Sequence, residues 1–497
     1  MGHRVVVIGG GIAGLSAAYR VKKLVPGVEL RLVEAEEKLG GKVVTDLVAS
    51  PSGSFVVEGG PDTFISYKPA GIALCRELGI EDRLHGTNTK VRGSSVMRKG
   101  RLHQMPEGLT GLIPSKFGPM ALTGLISPLG KLRMGLDLFV PPRRDLPGQK
   151  IDETLAEFVR RRLGGELYER LIEPLMSGIY AGDGEELSLA ATFPQLRQSE
   201  LENGSLVMGM LATKRKNAKA KREAKAASAG TQSAPRRAWP AFITPELGLA
   251  EIVDALAKTF AEDELVLGVK ALRVVRAGKE WLVVLEDGRE LRADALVVAT
   301  PSHAAAPLLE GLDSSLASAL ASIPHASTAT LSIAYREEDL PRPLDSFGYV
   351  IPKKEGRSIL AATFTSTKFP HRAPEGSVLI RAFIGRAGND AGIDLPETEL
   401  VAMVRQELKE VLGITAEPLF HRTFRWPLAM PQYTRGHLDR LAVIDRAVAG
   451  LPGLALAGNA YRGIGIPDCI ASGEGAAASV ARRLGVAIET PKKEMKA

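Results

Sequence analysis

The chain has 497 residues, of which 45% are apolar and 5% aromatic, with two cysteines and a formal net charge of +7. It is long enough for several domains with large cores, and it contains no run of about eighteen consecutive apolar residues, which argues against a membrane-spanning helix. Cys75 and Cys469 lie too far apart in sequence for a zinc-ligand spacing or a disulfide framework, so no metal site and a reducing compartment are expected.

Val5–Ile8 is a β-branched apolar run that predicts a buried parallel strand, and Gly9, Gly11 and Gly14 after it fit G-x-G-x-x-G. In that spacing Gly9 makes the tight turn, Gly11 admits a pyrophosphate to the backbone, and Gly14 lets the next helix pack against the strand. The same glycines interrupt any apolar segment that would read as a signal peptide. Leu30–Val33 reads as a second strand ending on Glu34, twenty residues after Gly14, where a carboxylate suits a ribose. Gly40-Gly41-Lys42 and Gly59-Gly60-Pro61-Asp62-Thr63 are two further turns whose backbone amides can meet a ligand.

A helix is predicted from Pro69 to about Leu84, and a hairpin from Val96 to His103 around Lys99-Gly100. The stretch 109–138 is rich in Leu, Met, Gly and Pro and poor in charge. It suits a greasy substrate channel, a membrane surface or a plain helical core. Thr154 to Leu175 reads as an amphipathic helix with Arg160-Arg161-Arg162 on its polar side. Lys214 to Arg237 then holds nine basic residues against the single acid Glu223. Without interleaved aromatics this reads as a solvated flexible loop rather than a nucleic-acid surface.

A helix follows from Leu249 to Ala261, then strands within 264–275, a hairpin at Asp287-Gly288 and the apolar strand Ala295–Ala299. Residues 326–435 alternate strands such as Thr328–Ala334 and Val378–Ile384 with one helix, Thr398–Val411, and predict a second, mixed sheet. The chain closes on a buried strand from Leu454, the turn Gly463–Asp468 and a small-residue helix, Gly473–Leu484. Nucleotide-type strands at the start, middle and end of one chain describe a flavoprotein of α/β and α+β class. Its Rossmann-like FAD-binding domain is discontinuous (1–65, 246–300 and 436–487), with a mixed-sheet substrate domain (66–90 and 301–435). A helical subdomain (91–210), the basic flexible loop (211–240) and a tail (488–497) complete the division.

Three segments point further: Ser177-Gly178-Ile179-Tyr180-Ala181-Gly182-Asp183, Met430-Pro431-Gln432-Tyr433 with Gly436-His437, and Gly463-Ile464-Gly465-Ile466-Pro467-Asp468-Cys469-Ile470. Together with the glycine turns they make the chain, over nearly its full length, resemble the porphyrinogen oxidases of haem synthesis, within the monoamine oxidase-like FAD superfamily. The resemblance implies non-covalent FAD contacted by Gly9, Gly10, Gly11, Ile12, Ala13, Gly14, Glu34, Ala35 and Lys42. It extends that surface to Gly60, Pro61, Asp62, Thr63, Ala271, Trp426, Gly465, Ile466 and Pro467. On the substrate side it implies Phe347 with Gly348, the facing Ile179, nearby Val350, and Lys68 toward propionates, with Arg92, Arg98 and Arg101 as further cations.

Ser94 stands where protoporphyrinogen enzymes of the mitochondrial type are expected to carry an arginine, and Leu102–Gly108 with Gly111–Lys116 resembles the soluble coproporphyrinogen branch of Gram-positive-type bacteria. The resemblance therefore implies six-electron oxidation of coproporphyrinogen III by molecular oxygen with H2O2 release, and protoporphyrinogen IX is the alternative. An amine oxidase, a desaturase and a non-catalytic flavin-binding protein share the fold and stay open. No side chain presents itself as a dedicated general base, so the chemistry is flavin-driven, and His437 reads equally as a structural residue. A cytoplasmic protein is expected. Peripheral contact with the inner face of the membrane and hand-over to other haem-synthesis enzymes are left open.

Overall fold

Val5 to Ile8 are buried because the strand they form, Arg4–Ile8, lies at the centre of a five-stranded parallel sheet. Its order is Leu265–Val266, Glu29–Val33, Arg4–Ile8, Ala295–Val298, Leu454–Leu456, so Ala295–Val298 pairs on one side with the start of the chain and on the other with a strand near its end. The computed structural model describes all residues except 1, 92, 108, 111–112, 115–116, 146–150, 228–238, 391 and 489–497. Arg92, parts of the 108–116 motif and most of the expected tail thus lie outside the described residues.

Strand alternation divides the core. Val5 and Val7 face one side, where Ile12–Leu24 and Ile466–Arg483 pack against each other; Val6 and Ile8 face the other, over the hairpin strands 271–293. A parallel sheet covered on both faces is what these apolar runs require. The second sheet has seven strands, in the order Phe420–Pro431, His325–Arg336, Ser377–Ile384, Ala361–Phe364, Gly348–Val350, Ser95–Arg98, Arg101–Gln104. All its pairings are antiparallel except Gly348–Val350 with Ser95–Arg98.

Several expectations need correction. The hairpin about Lys99-Gly100 forms, but as the edge of the seven-stranded sheet and not within the helical subdomain assigned to 91–210. The helix after Lys68 ends at Glu77, and Leu74, Cys75 and Leu84 join the core of the parallel sheet, so 66–90 does not pack as part of the second sheet. The helix expected to run from Thr154 to Leu175 stops at Gly164, whose φ of 95° suits a glycine, and a π-turn over Tyr168–Ile172 precedes the helix Glu173–Tyr180. Pro174 lacks the N–H that a regular turn there needs. Arg162, expected on a polar face, is fully buried beside Asp137 and Glu200. Instead of a flexible loop from 211, the helix Leu206–Ala227 carries the first part of the basic stretch, because Ala, Lys, Arg and Glu are strong helix formers. The plain-core reading of 109–138 fails in part. Met120, Leu125 and Ile126 are buried, but Leu122 is 87% and Leu129 78% exposed, with Leu132 also outside and Phe139 exposed just beyond the stretch.

Candidate cofactor and substrate site

The first glycine turn has the geometry of a phosphate cradle. Gly9 sits at φ 107° and donates its N–H to Val33 O at 2.8 Å. A Cβ on Gly14 would lie 1.8 Å from Gly9 O, whereas a Cβ on Gly11 would meet nothing within 4 Å. Gly11 also begins the helix Ile12–Leu24 without a side-chain cap, which leaves N–H groups at its first turn, over Ile12 and Ala13, for an anion. Glu34 accepts the Gly10 N–H at 2.6 Å and the Glu36 N–H at 3.0 Å. The N–H of Gly268 bonds Glu36 O at 3.0 Å and that of Val269 bonds Glu34 O at 3.1 Å, which brings the stretch before Ala271 beside exposed Ala35. Thr300 Oγ1 and Ser302 Oγ, in the turn that abuts Gly9, are buried without a hydrogen-bond partner. Open space over one glycine, free helix amides and orphaned hydroxyls fit an anionic dinucleotide.

The Gly59–Thr63 turn is held from the second sheet. Gly59 O accepts from Trp426 Nε1 at 2.8 Å, Thr330 Oγ1 at 3.0 Å and Arg381 at 3.2 Å, and Arg381 also donates to Gly60 O. A Cβ on Gly60 would lie 1.8 Å from Lys42 O, so this turn and the Gly40-Gly41-Lys42 turn touch backbone to backbone. Arg372 pairs with Glu58 at 2.8 Å, both side chains buried, and Lys368 pairs with Asp62 at 3.1 Å. Burial opposes ionisation of Asp62, but Lys368 and Arg381 outweigh it and hold the carboxyl at about 2. Burial pulls Lys42 down to about 8, and its ammonium donates to Ala429 O. Burial likewise lowers His325 to about 4, with the imidazoles of His325 and His303 packed edge to face at 4.7 Å. Sequence reasoning missed Thr330, Lys368, Arg372 and Arg381. The available signal was an arginine in the middle of an otherwise apolar strand, Ser377–Ile384.

On the substrate side, half-buried Phe347 is fixed through its backbone, which accepts from Phe364 N–H at 3.0 Å and donates to Gly93 O at 2.9 Å. Gly348 has φ 130°, and a Cβ there would sit 2.1 Å from Ala362 O, so the strand demands glycine. The helix Glu173–Tyr180 comes up to this strand with a Cβ on Gly178 falling 4.0 Å from Val350 Cγ1, and its Ile179 is 52% exposed. Lys68 is not a free cation: its Nζ donates to both carboxylate oxygens of Asp468 at 2.6 Å. Asp468 lies in the first turn of the helix Ile466–Arg483, capped by Gly465, with Ile466 and Pro467 buried. Arg98 donates to Gly124 O and Arg101 is exposed at the sheet edge. His437 is structural: its Nε2 bonds Tyr461 O at 2.9 Å and its ring stacks on Tyr433 at 4.1 Å. Tyr433 in turn donates to Asn459 O at 2.6 Å and accepts from Gly463 N–H at 2.8 Å, bracing the turn before Gly465.

The profile of flavin containing amine oxidoreductases matches residues 12–481, and the chain belongs to that family, whose cofactor is a flavin. Within the family, the coproporphyrinogen III oxidase of Bacillus subtilis is 36% identical over 477 residues, covering 95% of this chain and 96% of that protein. The coproporphyrinogen III oxidase of Staphylococcus aureus is 33% identical, covering 97% and 100%, and the chloroplastic protoporphyrinogen oxidase of Oryza sativa is 30% identical, covering 94% and 85%. A crystal structure assigned as a protoporphyrinogen oxidase from Exiguobacterium sp. 255-15 superposes with a TM-score of 0.81 at 31% identity, covering 97% of this chain and 99% of that one. The cyclohexylamine oxidase of Brevibacterium oxydans, at 19% identity and a TM-score of 0.67, shares the fold.

Proposed function

We propose that the chain oxidises coproporphyrinogen III to coproporphyrin III in haem b synthesis, with non-covalently bound FAD and molecular oxygen. Loss of six electrons and six protons consumes three O2 and releases three H2O2. The observation that carries the reading is the full-length similarity to proteins named coproporphyrinogen III oxidase, 33–36% identical against 26–31% for those named protoporphyrinogen oxidase. Bound flavin supplies the hydride acceptor. The chain's own part is placement. The helix amides after Gly11 hold the pyrophosphate, Glu34 the ribose, and the Gly60–Thr63 and Gly465–Pro467 segments the remainder. Phe347, Ile179 and Val350 offer apolar surface to an uncharged macrocycle, and Lys68 meets a propionate at its rim. Orientation rather than a dedicated base is what these residues contribute.

The test is anaerobically prepared substrate added to aerobic enzyme with porphyrin fluorescence as readout. Coproporphyrinogen III is expected to turn over faster than protoporphyrinogen IX, and the reverse order moves the chain to the other branch. The protein works in the cytoplasm, and the exposed leucines and Phe139 of 122–139 rest on the inner face of an anionic membrane. No helix among the described residues is long and apolar enough to cross a bilayer.

A further inference from the structure

Lys68 and Asp468 are 400 residues apart in sequence, and their ion pair joins two regions with different assigned tasks. Lys68 precedes the helix Pro69–Glu77, next to Tyr67, whose ring is largely exposed. Asp468 belongs to the cofactor-side helix, and its Oδ2 also lies 3.3 Å from the Gly465 N–H. The carboxylate covers Gly463 so closely that a Cβ there would sit 2.5 Å from Asp468 Cγ. The two partners are unequally accessible: the Lys68 side chain is 42% exposed and that of Asp468 17%. An incoming carboxylate can therefore reach the ammonium from solvent, but not the acid that occupies it.

We propose that Asp468 is a built-in, exchangeable counter-ion that stands in for a substrate carboxylate at Lys68. The inference rests on the assignment of Lys68 to the propionate rim. Replacement of one carboxylate by another of the same chemistry conserves the lysine's hydrogen bonds. Asp468, once released, keeps acceptors satisfied at the Gly465 N–H and the helix's first turn, where a carboxylate at the third position is favourable. Before substrate arrives, the pair leaves no bare cation at the rim, and a macrocycle without a carboxylate at this corner leaves it closed. Asp468 is thus a positioning residue that sets the cost of occupying Lys68 and links that occupancy to the Gly463–Gly465 turn.

The experiment measures binding of coproporphyrin III to flavin-loaded wild type, K68M, D468N, D468S and the K68M/D468N double variant, by fluorescence quenching, with thermal unfolding as the control for folding. K68M is expected to weaken binding about tenfold, D468N and D468S to tighten it severalfold, and D468N to add nothing in the K68M background. A merely structural acid would weaken binding on removal and would not lose its effect with Lys68 gone. Binding to folded D468N and D468S that equals or falls below wild type, with K68M weakened, overturns the exchange and leaves the Lys68 assignment standing. Unchanged binding to K68M overturns that assignment and the exchange with it.

Discussion

At the scale of single residues, the charged groups that matter most are the buried ones. Arg372 contacts Glu58, the Thr244 hydroxyl and Asp62 O, while Glu58 also accepts from Leu249 N–H at 2.7 Å. Arg372→Met would strand that carboxylate and is expected to destabilise the fold by about 3–5 kcal/mol in a denaturant titration. Three histidines give a pH dependence whose sign is fixed by burial: His325 and His437 fall from 6.5 to about 4 and His371 to about 3. A depressed folded-state value means that the unfolded chain takes up the proton first. Their contribution is complete above 6.5 and lost as the pH drops toward 4. Melting temperatures recorded across this window should decline, and H437Q should flatten part of the decline. An unchanged profile would show that His437 does not titrate on unfolding.

At the scale of elements, the first turn separates two kinds of glycine that look alike in sequence. The Cβ of G14A would strike Gly9 O and force strand and helix apart, so the variant should lose both stability and flavin. G11A places its methyl group in open space and should melt like wild type without cofactor, yet bind FAD at least about tenfold more weakly, read from flavin fluorescence on titration. Equal flavin affinity for G11A would remove this turn from the cofactor surface. The broken helix after Gly164 carries a related lesson. Hydrophobic periodicity continued through 154–175, and only the backbone at Gly164 and the missing amide of Pro174 interrupted it.

At the scale of the whole molecule, exposed Leu122, Leu129, Leu132 and Phe139 flank in sequence the Asp137 carboxylate that accepts the Val207 N–H at 3.0 Å, at the start of the helix Leu206–Ala227. Lys214, Arg215, Lys216 and Lys219 of that helix are exposed. Apolar side chains together with a basic helix suit an anionic bilayer, and such binding weakens with salt. Sedimentation with phosphatidylglycerol vesicles should recover the protein at low ionic strength, and L129E/L132E should abolish recovery. Wild type that stays in the supernatant would exclude the membrane contact.

Much of the parallel sheet and its first turn was legible in the sequence because those signals are local: the uninterrupted β-branched run from Val5 to Ile8 and the glycine spacing that follows it. The hairpins at Lys99-Gly100 and Asp287-Gly288 were legible for the same reason. What only the tertiary structure decided is which charges are buried and which are paired. Arg162 reads as surface until Asp137 and Glu200 enclose it, Arg381 reads as an anomaly until Gly59 and Gly60 receive it, and Lys68 reads as a free cation until Asp468 meets it. A side chain's periodicity belongs to its own element, but its desolvation and its partner come from elements far along the chain, and no local pattern encodes them.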